Sequence, residues 1–339
     1  MRVFNMMLAR ARGGVESMAV RYHEALAADG HEVLSFGHPK GALAEEVPAS
    51  VFRPMTARFD YDPLSVVQLR RALARFGPAL VLTHGGRAAG LSFAAAGGAR
   101  TVQVMHNQFF KGYTRGARAG LCVSRSVLEA AHAAYPALPL YETTNFTHLE
   151  ARPVKAAPAG VPVIGALGRL HEQKAFQVLL RALARLKAEG VAFRALIAGD
   201  GPEQSALEAL RASLGLESEV RFVGWVSPVA DFLAGLDLYV MSSHYEPFGL
   251  SLAEALAAGA PAIAAGIEGP AEILGHGRYG RMFANRDDAA LAAAIRAAMD
   301  DWPATLGMAE AAQAHALETY GFAAGCRRLS AALTSIVES

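Results

Sequence analysis

The sequence predicts an α/β protein of two domains, each built on a parallel sheet with helices on both faces. Three observations point there. Apolar runs of about four to seven residues alternate with helical patterns of about 10–15, the rhythm of strand–helix–strand crossovers. The strand-like runs are apolar throughout rather than alternating, as expected where both faces of a sheet are covered. The chain has 339 residues, 53% of them hydrophobic, enough for two cores at roughly 100–200 residues per domain.

In chain order, residues 3–8 read as the first strand and 15–28 as a helix closed by Gly30. Residues 33–36 are a strand, 64–76 a helix, 80–83 a strand, 88–96 a helix and 102–105 a strand. Residues 121–123 lead into a helix over 124–134. Dense Pro and Gly between Pro153 and Pro162 mark an exposed connection. The pattern then restarts with strand 163–167, a helix over 175–189 stopped at Gly190, strand 193–198 and helix 203–214. Residues 220–223, 238–241 and 262–264 are further strands, and 287–300 and 309–337 read as terminal helices. The expected division is a domain over 1–150, a linker over 151–162, a second domain over 163–320 and a last helix over 321–339.

Composition narrows the function. The net charge of +1 argues against a strongly basic nucleic-acid binder. It hides an asymmetry: residues 1–150 carry 16 Lys and Arg against 11 Asp and Glu, whereas 151–339 carry 16 against 20. Two cysteines, Cys122 and Cys326, are too few for a disulfide scaffold, so a reducing compartment is expected. The N-terminal apolar run is short and ends in Arg10 and Arg12, which suits a buried strand better than a signal peptide. No stretch has the character of a membrane span. The expectation is a cytoplasmic protein with peripheral contact at the inner face of a membrane left open.

The densest motif is residues 238–261, LYVMSSHYEPFGLSLAEALAAGAP. A strand ends near Met241, and a helix opens near Gly249 and closes at Gly259, with Pro261 beyond. Free N–H groups at Gly249, Leu250 and Ser251 give the helix start an affinity for phosphate. Glu246 lies in the loop, and Glu254 about 6 Å into the helix at 1.5 Å per residue. On residue type alone, Glu254 equally serves the helix dipole. In a second segment, GALGRLHEQKAF, Gly168, Arg169 and Lys174 follow strand 163–167. Two cations at a strand's carboxyl end can clamp a diphosphate. Lys174 stands near a helix start, the unfavourable end for a cation. It is one of only 5 Lys against 27 Arg.

Weaker signals lie elsewhere. Gly13 and Gly14 open the first helix, where a simple turn explains them as well as a ligand does. No Gly-x-Gly-x-x-Gly follows the first strand, which removes the main support for a dinucleotide site. His106 ends strand 102–105, and His84, beside Gly85 and Gly86, ends strand 80–83. Gly199, Asp200, Gly201 and Pro202 form a turn, with Pro202 expected at the first position of the next helix. Trp225 and Val226 follow strand 220–223, and Trp225 reads as well as a packing residue. Asp60-Tyr61-Asp62 resembles a metal motif, but Asp62 before Pro63 reads better as a helix cap. No cluster has metal-ligand spacing, so no metal site is expected.

Glu246-x7-Glu254 within HYEPFGLSLAEALAAGAPAIA resembles the signature of family 4 glycosyltransferases, and Gly168-Arg169-x4-Lys174 and Gly13-Gly14-Val15-Glu16 are similar to that family's other motifs. The resemblance implies a GT-B fold: two Rossmann-like domains with parallel sheets facing a central cleft, the last helix packing back on the first domain. It implies retaining transfer of a hexose-type sugar from a UDP- or GDP-linked sugar, with no cofactor or metal. Arg169 and Lys174 would stabilise the leaving diphosphate, Glu246 would orient the sugar, and Glu254 would hold the ribose. His106 would face the donor sugar. Gly13, Gly14, Gly168, Gly199, Val226, Phe248, Gly249, Leu250 and Ser251 would line the donor.

Two departures stand out. The family's usual Asn-Gly appears as Asn145-Phe146, and its Gly-Gly-x-x-Glu as Glu268-Gly-Pro-Ala-Glu272. The acceptor is read from Arg10, Arg12, Lys111, Arg115 and Arg118 interleaved with Phe109, Phe110 and Tyr113. That suits an anionic cell-envelope glycan, glycolipid or membrane surface. A solvated loop with packing aromatics explains the same residues. A nucleotide-sugar epimerase of the same fold, or a silent nucleotide-sugar-binding subunit, are the alternatives.

Overall fold

The computed structural model of the chain describes every residue except Ala11 and Arg12, and every described side chain except that of Tyr113. Two units emerge, one of Met1–Thr147 with Gly321–Ser339 and one of His148–Tyr320.

The first unit runs β1 (Arg2–Met7), α1 (Gly14–Ala28), β2 (Glu32–Gly37), α2 (Ala42–Glu46), β3 (Phe52–Pro54), α3 (Pro63–Phe76), β4 (Leu80–His84), α4 (Gly86–Ala96), β5 (Thr101–Met105), β6 (Ala119–Cys122), α5 (Arg125–Ala134) and β7 (Leu140–Glu142). Its seven-stranded sheet has the order β3-β2-β1-β4-β5-β6-β7, and the pairings are parallel. β1 shows why the fold is layered. Phe4, Met6 and Leu8 join the core of α3 and α4, while Met7 packs with Ala19 and Val20 of α1. That alternation is the two-residue period of a strand buried on both faces. Asn5, one residue after Phe4, turns to the α1 side and donates to the Ala19 carbonyl.

The second unit runs β8 (Val163–Leu167), α6 (Phe176–Ala188), β9 (Arg194–Ala198), α7 (Gln204–Ser213), β10 (Val220–Gly224), α8 (Val229–Ala234), β11 (Leu238–Met241), α9 (Leu250–Ala257), β12 (Ala262–Ala265), α10 (Glu268–Ile273), β13 (Arg281–Phe283), α11 (Asp288–Asp300) and α12 (Trp302–Tyr320). Its six-stranded parallel sheet has the order β10-β9-β8-β11-β12-β13. Leu179, Leu183 and Leu186 of α6 meet Ile164 and Ile197 on one face. Leu252, Leu256 and Ala312 close the other.

Three boundaries differ from the sequence reading. Residues 309–337 do not start the terminal pair: α12 begins at Trp302 and stops at Tyr320. Gly321 is then extended, with φ −65° and ψ 154°, bridges to Thr147, and restarts the chain as α13 (Phe322–Glu338). Pro202 is not the first residue of α7. The Glu203 N–H donates to the Leu170 carbonyl at 3.0 Å, so Glu203 becomes the cap and Pro202 stays in the turn. Before α6, a 3-10 turn spans Glu172–Lys174 and Ala175 is left-handed at φ 49°. The helix thus starts at Phe176, one residue later than read, with Lys174 ahead of it as expected.

Candidate active site

Both sheets reverse strand order once, beside β1 in the first unit and beside β8 in the second. In open α/β sheets, ligands bind beyond the carboxyl ends of the strands at such a switch point.

In the second unit the loops leaving β8 and β11 meet there. Ser242 Oγ donates to the Lys174 carbonyl at 2.9 Å, and the His244 N–H donates to the Gln173 carbonyl at 3.0 Å. These bonds place Lys174, whose ammonium is paired with the Glu246 carboxylate. The Glu246 carbonyl accepts from the Gly269 N–H at 3.2 Å, which ties the loop to α10. Lys174 and Glu246, assigned separate roles from the sequence, form one half-buried ion pair. Arg169 is exposed, and no ion pair or hydrogen bond ties its guanidinium to a described side chain. A guanidinium fork so placed has the geometry to take an anion in two parallel hydrogen bonds.

Gly199 and Gly168 fit the same edge. The Gly168 N–H donates to the Ala198 carbonyl and the Gly199 N–H to the Gly224 carbonyl. Gly199 has φ 124°, and a Cβ there would overlap the Gly168 carbonyl oxygen. Val226, two residues past β10, is half-buried, while Trp225 is 70% exposed and does not pack.

α9 supplies the anion-friendly element. Gly249 caps it at φ 114°, and the N–H groups of Leu250 and Ser251 precede the first helical acceptor. Phe248 is buried edge-on to the Tyr320 ring at 5.4 Å, so its side chain anchors the loop and only its backbone is available. Tyr239 OH donates to Ser251 Oγ at 3.0 Å, which holds the first turn. Glu254 is half-buried one turn on.

The first unit gathers Gly13, Gly14, His84 and His106 at its own switch point. Gly13 caps α1 in an extended conformation at φ −174°, and Gly14 is the first helical residue. Both are exposed above the buried Glu16. His84 Nε2 lies 2.9 Å from Asn5 Oδ1, and His84 Nδ1 lies 2.9 Å from His106 Nε2. Burial holds His106 down to about 3. Burial, then the His106 ring, hold His84 well below the ordinary range. Both rings are therefore neutral near pH 7. Sequence reasoning ranked His84 second and missed Asn5. The available signal was a lone amide inside an apolar strand.

The proposed acceptor patch divides. Lys111 pairs with Asp60 at 2.7 Å, Arg118 donates to the Ile336 and Val337 carbonyls of α13, and Phe110 packs edge-on to Tyr135. Phe109 is 74% exposed and Arg10 is exposed. Arg12 and the Tyr113 side chain lie outside the described residues. Asp62 caps α3, accepting from the Leu64 and Ser65 N–H groups at 3.1 and 3.3 Å. Among the described residues no group of three His, Cys, Asp or Glu could hold a metal ion.

Two doubly wound parallel units, with cations and a helix start at the switch point of the second, define a protein of the GT-B fold class. Family models agree: "Glycosyltransferase Family 4" matches residues 12–139 and "Glycosyl transferases group 1" matches 148–315. The chain belongs to the family 4, or group 1, glycosyltransferases. It is 37% identical over 162 residues to the lipopolysaccharide core biosynthesis glycosyltransferase LpsD of Rhizobium meliloti, covering 46% of each chain. It is 39% identical over 144 residues to LpsE of the same organism, covering 42% of this chain and 41% of that one. The matched stretch thus spans less than half the length of either relative. The fold matches Anabaena HepE, solved in complex with UDP and glucose, with a TM-score of 0.82 and 22% identity over 99% of this chain and 100% of that one.

Proposed function

We propose that the chain is a retaining glycosyltransferase that moves a hexose-type sugar from a UDP- or GDP-linked sugar to a cell-envelope glycan or glycolipid. The observation that carries this is the Lys174–Glu246 pair between Arg169 and the start of α9, at the switch point of the second unit, in a chain of this family. The lipopolysaccharide-core relatives support the acceptor class.

The chemistry follows from charge. The bond from the sugar's anomeric carbon to the diphosphate oxygen breaks, and negative charge develops on the phosphate. Arg169, Lys174 and the Leu250 and Ser251 N–H groups supply positive charge there. Glu246 accepts from sugar hydroxyls and Glu254 from the ribose. The acceptor oxygen bonds to the anomeric carbon on the face the diphosphate leaves, and its proton passes to the departing phosphate oxygen. The second unit then carries the nucleotide and the first the acceptor, while Gly13, Gly14 and His106 of the first unit serve the donor sugar and phosphate.

The test is donor turnover by the whole chain, with UDP- and GDP-linked hexoses. Lys174→Ala and Glu246→Ala each lower it at least about tenfold, the scale of losing one charge-assisted contact in the transition state, with unchanged circular dichroism. Activity within twofold of the unsubstituted chain overturns the assignments. A thermal shift with a nucleotide sugar but no turnover of any donor points instead to a silent binding subunit, and interconversion of epimers to an epimerase.

The first unit also carries a surface suited to an anionic bilayer. Phe59, Tyr61, Leu64, Val67 and Phe109 are exposed, Leu64 at 83%. The Lys111–Asp60 bridge holds the two loops involved together. Arg58, Arg71 and Arg75 are exposed on the same loop and helix. Among the described residues no helix is long and apolar enough to cross a membrane. Contact through this surface at the cytoplasmic face is the arrangement we propose.

A further inference from the structure

The polar chain under the first unit's switch point has a direction, and one backbone carbonyl sets it. Asn5 is fully buried. Its Nδ2 lies 2.8 Å from the Ala19 carbonyl, which can only accept. The amide therefore places its nitrogen there and its oxygen toward His84. An amide oxygen only accepts, so His84 Nε2, 2.9 Å away, carries the hydrogen. A neutral imidazole has one N–H, which leaves His84 Nδ1 a bare lone pair. His106 Nε2 stands 2.9 Å from that lone pair and must donate to it. His106 then has its single proton on Nε2 and a bare Nδ1.

The chain is held rigidly. Tyr22 meets His84 edge-on at 5.0 Å, stacks on Phe146 at 5.8 Å, and its hydroxyl bonds Thr143 at 3.0 Å. The far end of Asn5 is tied as well, through Ser35 Oγ at 3.3 Å to His23 Nδ1. His106 is only half-buried, and no further hydrogen bond joins its ring to a described residue. It directly follows β5, at the strand end beyond which a ligand of this fold class lies.

We propose that Asn5 and His84 are positioning residues that hold His106 as the Nε2–H tautomer and so present its Nδ1 as a hydrogen-bond acceptor to a sugar hydroxyl. A hydroxyl fits because it can donate, whereas phosphate oxygens and carbonyls cannot. The inference rests on the sugar-transfer reading above for the ligand, but its tautomer step does not.

Two readouts test it. The first is a long-range proton–nitrogen spectrum of the full chain labelled with 15N-histidine, in which His106→Gln assigns the ring. At pH 7 the spectrum shows His106 protonated at Nε2 and bare at Nδ1. A proton on Nδ1 overturns the proposal, and this measurement needs no altered core. The second compares His84→Leu with His84→Gln. Leucine removes the acceptor, so His106 becomes a mixture of tautomers. Sugar transfer then falls about tenfold in kcat/KM, the worth of one well-placed hydrogen bond, while nucleotide affinity holds. Glutamine offers an oxygen to His106 and an amide to Asn5, restoring the single tautomer and activity to within about threefold. A leucine variant with a mixed tautomer but full activity overturns the positioning role. Donor turnover with the wrong tautomer overturns the relay alone. The right tautomer with no turnover of any nucleotide sugar overturns the functional reading and the hydroxyl role with it.

Discussion

His84 and His106 bear on stability as well as on the proposed chemistry. Each titrates near 6.5 in an unfolded chain, but burial holds the folded values lower, His106 at about 3. Burial also lowers His23, whose Nδ1 bonds Ser35. The sign follows from proton counting. Above about pH 6.5 both states are neutral and the histidines add no pH dependence. As pH falls further, the unfolded chain binds protons that the folded one refuses, so stability is lost with falling pH. Asp62 acts lower in the range. The N–H groups of Arg58 and Ser65 hold its carboxyl below the ordinary value, so its contribution is complete above the ordinary carboxylate range and is lost as pH falls below it. The expected result is a melting temperature of the first unit that drops between pH 6.5 and 5, followed by amide exchange in β1 and β4. His84→Gln flattens that drop. A flat profile in the unsubstituted chain, or an equal slope in the variant, contradicts the assignment.

At the scale of elements, legibility in the sequence followed length and position. β8 and β11 are read to the residue, because each is an apolar run bounded by turn signals. β3, β7 and β13 are three residues each and sit at sheet edges. A three-residue strand has no period to detect, and β3 even ends in Pro54, which an edge tolerates. The site shows the same divide. Lys174, Glu246 and Gly249 were readable because a local motif holds them. Asn5 and His84 lie on two strands and His106 directly follows a third, and only pairing of β1 with β4 and β4 with β5 brings them together. The departure at Phe146 was likewise opaque until α13 was seen beneath it. A Cβ on Gly325 of α13 would overlap the Phe146 ring, so a large residue in one element is accommodated by a glycine 179 positions along the numbering. Gly325→Ala therefore costs on the order of 1–3 kcal/mol by overpacking. In a Phe146→Ala background the same change costs much less, since the two share one space. Denaturant unfolding of the four proteins measures the coupling, and simple additivity of the two costs argues against the contact.

For the whole molecule, the charge asymmetry gains a location. The basic excess of residues 1–150 belongs to the first unit, and α13 joins that unit with Arg327 and Arg328 against Glu338. Some of this charge is internal, as Arg118 is bound to α13. Arg58, Arg71 and Arg75 remain exposed around Phe59, Leu64 and Val67. An amphipathic surface of this kind binds bilayers by two additive terms, apolar insertion and attraction to anionic headgroups. Each term has its own signature. Vesicles containing phosphatidylglycerol should sediment the chain, and phosphatidylcholine vesicles should do so far less. Raising salt should release much of it, because charges outside the apolar layer are screened within about 8–10 Å near physiological ionic strength. Inserting a Leu or Phe side chain is worth about 1.5–3 kcal/mol. Replacing both Leu64 and Phe109 by Asp should therefore weaken binding more than tenfold. The thermal shift with a nucleotide sugar should be unchanged, since neither residue belongs to the proposed donor site. Equal affinity for both vesicle types, or a double variant that binds as the unsubstituted chain does, removes the case for this surface. The basic half would then serve the acceptor alone.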